Sequence, residues 1–240
     1  EEAVLVRDES LELFEGEERI ELLFEMADVF DDYEEYERVF ECIREVLIAE
    51  PTNEEALYKV CFWTDFTGRN EEGIRLHMEI LEDHPYSELA WFNLGAAYQG
   101  LKLYEKAIDA YQYAIAIEEK FDYAYRNMGD ALIRLRRYKE ALEALERVTE
   151  LTKPEDVIFE AMGFCYERLK QPAQARSHYR KAVHLRPEDS RLHYKIATTY
   201  HTEGQWERAI RQLDAAMKLF PSQPDYNRLA GECHTRLGQW

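Results

Sequence analysis

The chain has 240 residues, 46% of them hydrophobic and 33% charged, with 49 acidic against 30 basic side chains and a formal charge of −19. That acidity argues against general nucleic-acid binding, since phosphate contacts need clustered Lys and Arg. No apolar run approaches the length of a membrane span, no secretory leader is visible, and Cys42, Cys61, Cys165 and Cys233 lack the spacing of a zinc site or a disulfide framework.

The first nineteen residues follow no period. Their apolar patches, Ala3 to Val6 and Leu11 to Phe14, are expected to pack on what comes next. From residue 20 a period of 34 residues takes over. Leu23, Met26, Ala27, Phe30, Val39, Ile43 and Val46 recur as Leu57, Val60, Cys61, Thr64, Gly73, His77 and Ile80. They recur again as Trp91, Leu94, Gly95, Tyr98, Ala107, Tyr111 and Ala114, and so on without insertion. The units are 20–53, 54–87, 88–121, 122–155, 156–189 and 190–223, followed by a half unit over 224–240. A fixed period of this length marks a repeat architecture and not a single globular core.

Within each unit the apolar residues recur twice at helical spacing, as in Trp91, Leu94, Tyr98 and then Ala107, Tyr111, Ala114. Short connectors such as Gly100 to Tyr104, Leu135 to Tyr138 and Glu203 to Trp206 separate the runs. Each unit is therefore predicted to be two antiparallel helices. One place is always small: Ala27, Cys61, Gly95, Gly129, Gly163, Ala197, Gly231. Glycine inside a helix costs roughly 1 kcal/mol against alanine, so its recurrence implies close packing of the helix axes. Pro51, Pro85, Pro187 and Pro221 share one place and should stop the second helix. Glu119 and Lys153 depart from that rule, Pro154 falls one residue late, and Pro172 falls where a second helix begins.

This pattern resembles the tetratricopeptide repeat family over residues 20 to 240, best in 88–121 and 156–189. It is weaker in 20–53 and 54–87, where Thr64 and Gly73 depart. The RNA-reading pentatricopeptide repeats have a longer period, toward which the chain does not drift. The resemblance implies an all-α, right-handed α-solenoid whose first helices line a concave groove, usually a protein-binding surface. On that geometry two sets of residues face inward. The first is aromatic and acidic: Phe24, Tyr58, Phe62, Phe66 and Phe92, with Asp28 and Asp65. It suits an apolar, basic segment. The second is basic: Arg126, Asn127, Arg134, Arg168, Arg191, Tyr194 and Lys195. It suits a carboxylate or an acidic peptide. Arg126, Arg191 and Lys195 take cation places of the family's carboxylate clamp, but Asp130 and Ala161 replace its asparagines. Asn93 and Asn127, one unit apart, resemble the start of an asparagine ladder that binds peptide backbone.

Charge is polarised. Residues 1–53 carry 19 acids and 4 bases, residues 54–121 carry 13 and 6, and residues 122–240 carry 17 and 20. Such a dipole can orient a partner at long range or favour contacts between copies. No phosphate-binding loop or nucleophile motif appears. The histidines are scattered, and no cofactor or metal is expected; the acid runs lack the ordered spacing of a calcium loop. The chain is expected to be a non-catalytic scaffold that holds a protein or peptide, with no nucleic acid and no membrane insertion, in the cytoplasm. Two alternatives remain: the docking arm of a larger enzyme, for example a sugar transferase, and a module that self-associates through its C-terminal half unit. That half unit lacks a second helix, so a longer parent protein or a covering neighbour is expected there.

Overall fold

The computed structural model describes residue 11, residues 13–153 and residues 155–238. The patch at Ala3 to Val6, Glu12, Pro154 and Trp240 lie outside the described residues. Thirteen helices and no strand occur among the described residues. They are α1 (Gly16–Asp32), α2 (Tyr36–Ala49), α3 (Glu54–Phe66), α4 (Asn70–Asp83), α5 (Glu88–Gly100), α6 (Tyr104–Ile117) and α7 (Asp122–Arg134). There follow α8 (Tyr138–Leu151), α9 (Asp156–Arg168), α10 (Pro172–Leu185), α11 (Ser190–Thr202), α12 (Trp206–Leu219) and α13 (Pro224–Arg236). The architecture is an all-α solenoid of helix pairs. The chain divides into two compact units, Glu1–Ala124 and Tyr125–Trp240.

Helix boundaries follow local chemistry repeated every 34 residues. Asn53, Ser87 and Asp189 occupy one repeat place and cap α3, α5 and α11. Their side chains accept from Ala56 N at 3.0 Å, Ala90 N at 3.2 Å and Arg191 N at 2.9 Å, satisfying helix N-terminal donors. Second helices α2, α4, α10 and α12 stop two residues before Pro51, Pro85, Pro187 and Pro221. Pro172 opens α10, where its missing N–H costs nothing.

The turn inside each pair has a marker of its own. Glu34, Gly68, Lys102, Arg136, Lys170, Gly204 and Gly238 all adopt positive φ, between 58° and 72°. After the first six of these the following residue closes a wide backbone bond to the first helix, as in Leu103 N to Tyr98 O at 2.9 Å and Gln171 N to Tyr166 O at 2.9 Å. Four of the seven are not glycine and carry the steric cost of the left-handed region.

In the first unit α1 packs on α2, α2 on α3, α3 on α4 and α5, α4 on α5, and α5 on α6. Leu23, Ile43, Val46, Leu57 and Val60 form one buried cluster that also includes Leu11. Arg19 fixes that N-terminal stretch by donating to Leu11 O at 2.7 Å and pairing with Glu45 at 2.8 Å. In the second unit α8 packs on α9, α9 on α10, α10 on α11, α11 on α12, and α12 on α13. Its cluster includes Tyr179, Ile196, Leu213 and Leu229.

The small place works as expected. A Cβ on Gly95 would lie 2.5 Å from the Tyr111 ring, one on Gly163 2.5 Å from the Tyr179 ring, and one on Gly129 3.0 Å from Leu145. Both tyrosines are fully buried, and their hydroxyls donate to Gln99 Oε1 at 3.0 Å and Glu167 Oε2 at 2.8 Å. The second repeat departs: His77 fills the tyrosine place, fully buried, with neither ring nitrogen bonded. Burial alone lowers its pKa to about 4.

Candidate functional site

The aromatic set lies in the first unit. On α3, Tyr58, Phe62 and Phe66 recur at every fourth residue and share a face. They are 72%, 51% and 62% exposed. The Phe62 and Phe66 rings stack at 6.0 Å, and Trp63 meets both edge-on at 5.0 and 5.6 Å. Tyr36, at the start of α2, joins the group by stacking on Trp63 at 5.1 Å and meeting Phe66 edge-on at 5.6 Å. Sequence reasoning missed Tyr36 and Trp63. Trp63 precedes Thr64 of the buried stripe and is half-buried itself; it braces the exposed rings from beneath.

Other members of that set are used internally. Phe24 is half-buried against the core, with Lys59 Nζ 5.9 Å from its ring centre. The same ammonium bonds Asp28 at 2.6 Å, so that carboxylate is already neutralised. Asp65 accepts from Asn70 Nδ2 at 3.4 Å and stays exposed. Phe92 packs on Tyr111 and Phe121 at 5.8 and 5.1 Å. Uncompensated acidity comes instead from the α1–α2 turn. Burial, then the charges of Glu34 and Asp31, push the Tyr36 phenol up.

Asn93 is corrected. It is only 3% exposed, and its amide donates to Leu57 O of α3 at 2.9 Å. It ties one first helix to the next and is not presented to a guest. Asn127, one repeat on, is half-buried in α7.

The basic set lies in the second unit, and Arg126, Arg134, Arg191 and Lys195 are matched by carboxylates. Arg126 grips Glu155 through two bonds of 2.9 and 3.1 Å, holding that carboxyl below its usual range. Lys195 Nζ lies 2.9 Å from Glu160 and over the Tyr179 ring. Arg191 forks onto the capping Asp189 at 2.9 and 3.2 Å, which likewise lowers the Asp189 pKa. Arg134 lies 3.7 Å from Asp130. Arg168 donates to the Tyr138 hydroxyl at 3.3 Å, and Tyr194 packs on Tyr226 at 5.1 Å. Exposed and half-exposed pairs of this kind contribute about 0–1 kcal/mol each, so a guest carboxylate can displace them. The field that would attract it is nonetheless largely cancelled.

His201 packs edge-on against Trp206 at 5.0 Å, and His234 is exposed. Cys42, Cys165 and Cys233 are buried, whereas Cys61 is half-buried. Burial pushes the Cys61 and Cys165 thiols up to about 12, away from the reactive thiolate. No described helix is long and apolar enough to cross a membrane.

Comparison with known proteins agrees with this architecture. Residues 118–229 match the family model of the Psidin N-terminal TPR repeats region, and residues 89–121 match the tetratricopeptide repeat model. No curated protein matches the chain in sequence. Among solved structures, YrrB, a TPR protein with an unusual peptide-binding site, is 20% identical, with a TM-score of 0.60 over 68% of this chain and 84% of that one. MamA from Desulfovibrio magneticus RS-1 is 20% identical, with a TM-score of 0.64 over 71% and 96%. A tetratricopeptide repeat protein from Parabacteroides merdae is 18% identical, with a TM-score of 0.64 over 92% and 87%. At such identities the likeness establishes fold alone. With the repeat models matching within residues 89–229 and the 34-residue packing repeated on both sides of the division, this chain is a tetratricopeptide repeat protein.

Proposed function

We propose that the chain is a non-catalytic protein-binding scaffold, and that the α3 face of Tyr58, Phe62 and Phe66 holds a partner segment rich in apolar side chains with flanking Lys or Arg. One observation carries this reading: three large aromatics in register, each more than half exposed, on a helix whose opposite face is fully buried. The rings brace one another and Trp63, yet their outer faces stay open to solvent. Covering each ring is worth roughly 1.5–3 kcal/mol before the cost of association is subtracted. Asp65 beside the stripe and the acidic α1–α2 turn favour a cationic flank. YrrB is described as having a peptide-binding site, which supports a peptide as the kind of partner.

The set Arg126, Asn127, Arg134, Arg168, Arg191, Tyr194 and Lys195 takes a secondary part in this proposal. A partner carboxylate engages it only by displacing Glu155, Glu160 or Asp189.

The test is selection from a displayed library of random linear peptides. Wild-type protein should enrich sequences that combine aromatic or aliphatic residues with Lys or Arg. The triple variant Tyr58→Ala, Phe62→Ala, Phe66→Ala, checked for an unchanged circular-dichroism melt, should lose them. Selected peptides that bind the variant as tightly as wild type would remove the assignment. Arg191→Glu with Lys195→Glu should leave those peptides bound and abolish capture of any acidic ones.

A further inference from the structure

A second charged cluster shares no residue with either set described above. Tyr200 of α11 is almost completely buried, yet three guanidinium groups converge on its ring. Arg176 lies 4.2 Å from the ring centre, and Arg180 and Arg208 lie 5.9 Å from it. Arg176 and Arg180 come from α10 and Arg208 from α12, both second helices. Only Arg176 meets a carboxylate, Glu203 at 2.9 Å. Arg180 donates to the Tyr200 hydroxyl and Arg208 to Gln205 Oε1 at 2.8 Å, both neutral acceptors. Neither forms an ion pair among the described residues. Gathering like charges without matching acids is unfavourable unless an anion completes the site. Each guanidinium offers five donors in a rigid fork, so most of them remain for that anion.

The matching feature is on the same chain. At the α1–α2 turn, Asp31, Asp32 and Glu34 are exposed and form no ion pair among the described residues. Their neighbours Glu35 and Glu37, by contrast, bond Arg38 and Arg69 at 2.8 and 2.6 Å. Tyr33, between the acids, is 76% exposed and offers a ring on which a guanidinium stacks.

We propose that the arginine cluster around Tyr200 docks the acidic α1–α2 turn of a second copy of this chain. Each copy carries one patch of either sign, so each can both offer an arginine cluster and fill that of a neighbour. The overall charge of −19 opposes association. At an ionic strength of about 0.1 M, however, the Debye length is about 10 Å and only facing groups are felt.

Sedimentation velocity at about 0.1 M salt tests this. The weight-average sedimentation coefficient of the wild type should rise with concentration. Arg180→Glu with Arg208→Glu, and separately Asp31→Lys with Asp32→Lys and Glu34→Lys, should each weaken association by roughly tenfold or more. A chain carrying both sets should associate again, because the swapped charges once more face each other. A wild type that stays monomeric up to about 1 mM overturns the proposal, as does either charge variant that associates like wild type. The variant Tyr58→Ala, Phe62→Ala, Phe66→Ala should still associate. If it does not, self-association belongs to the α3 face, and this proposal fails while that surface stands.

Discussion

The small repeat place makes a prediction whose sign changes along the chain. At Gly163 an added methyl meets two atoms of the Tyr179 ring at 2.5 Å. That ring cannot retreat easily, because it is fully buried and its hydroxyl is held by Glu167 at 2.8 Å. Overpacking of this kind costs about 1–3 kcal/mol, while replacing a helical glycine by alanine gains about 1 kcal/mol. Gly163→Ala should therefore lose roughly 1 kcal/mol net. At Gly231 of α13, in the same repeat place, the added methyl meets nothing within 4 Å. Gly231→Ala should keep the whole helical gain of about 1 kcal/mol. Gly129→Ala should fall between, since Leu145 at 3.0 Å is a flexible side chain that gives way. Equilibrium urea unfolding followed by circular dichroism measures all three. If Gly163→Ala stabilises as much as Gly231→Ala, the account of the small place as a seat for the tyrosine ring is wrong.

Three further outcomes follow from named residues. His77 titrates near 6.5 in the unfolded chain and at about 4 in the fold; the neutral ring is what folds, so its stability contribution is intact above about pH 6.5 and is lost as pH falls toward 4, by roughly 3 kcal/mol at 1.36 kcal/mol per pH unit. His77→Leu, using the residue found at Leu145 and Leu213, should remove about half of the histidine pH dependence in melts between pH 4 and 7, leaving the comparable slope of half-buried His178, whose pKa burial also lowers to about 4. Lys102→Gly and Arg136→Gly should each raise stability by about 0.5 kcal/mol, because relief of left-handed strain (about 1–2 kcal/mol) exceeds the freedom added to the unfolded chain (about 0.4–1 kcal/mol); Gly204→Ala, at φ 71°, should lower it. Asn93→Ala should cost roughly 1–3 kcal/mol by deleting the buried bond to Leu57 O, and a neutral result in urea unfolding would return Asn93 to the list of groups available to a guest.

The periodicity of buried places carried the fold directly. Trp91, Leu94 and Tyr98, then Ala107, Tyr111 and Ala114, can bury together only as two helices that pack on their neighbours, and the proline places mark where the second helix stops. The turn between helices was harder to see. Gly68, Gly204 and Gly238 mark it, but Lys102, Arg136 and Lys170 hide it, because a charged residue at positive φ looks like any surface residue. The aromatic stripe was expected from the family resemblance, and Tyr58, Phe62 and Phe66 share a face because every fourth residue of a helix does. The basic set was legible as residues and not as a field. Its counter-ions come from loops and neighbouring helices, Glu155 for Arg126 and Glu160 for Lys195, and linear order does not reveal which charges meet. Asn93 was misjudged for a related reason: a repeat's polar inward place serves either a guest or the previous repeat's backbone, and only the 2.9 Å bond to Leu57 O decides.

The most direct measurement is a crystal structure of the protein with a library-selected peptide. The account predicts that the peptide's apolar side chains lie on Tyr58, Phe62 and Phe66, with a Lys or Arg beside Asp65 or the α1–α2 turn. A peptide seated instead along α7, α9 and α11, with the α3 rings left in solvent, would contradict it.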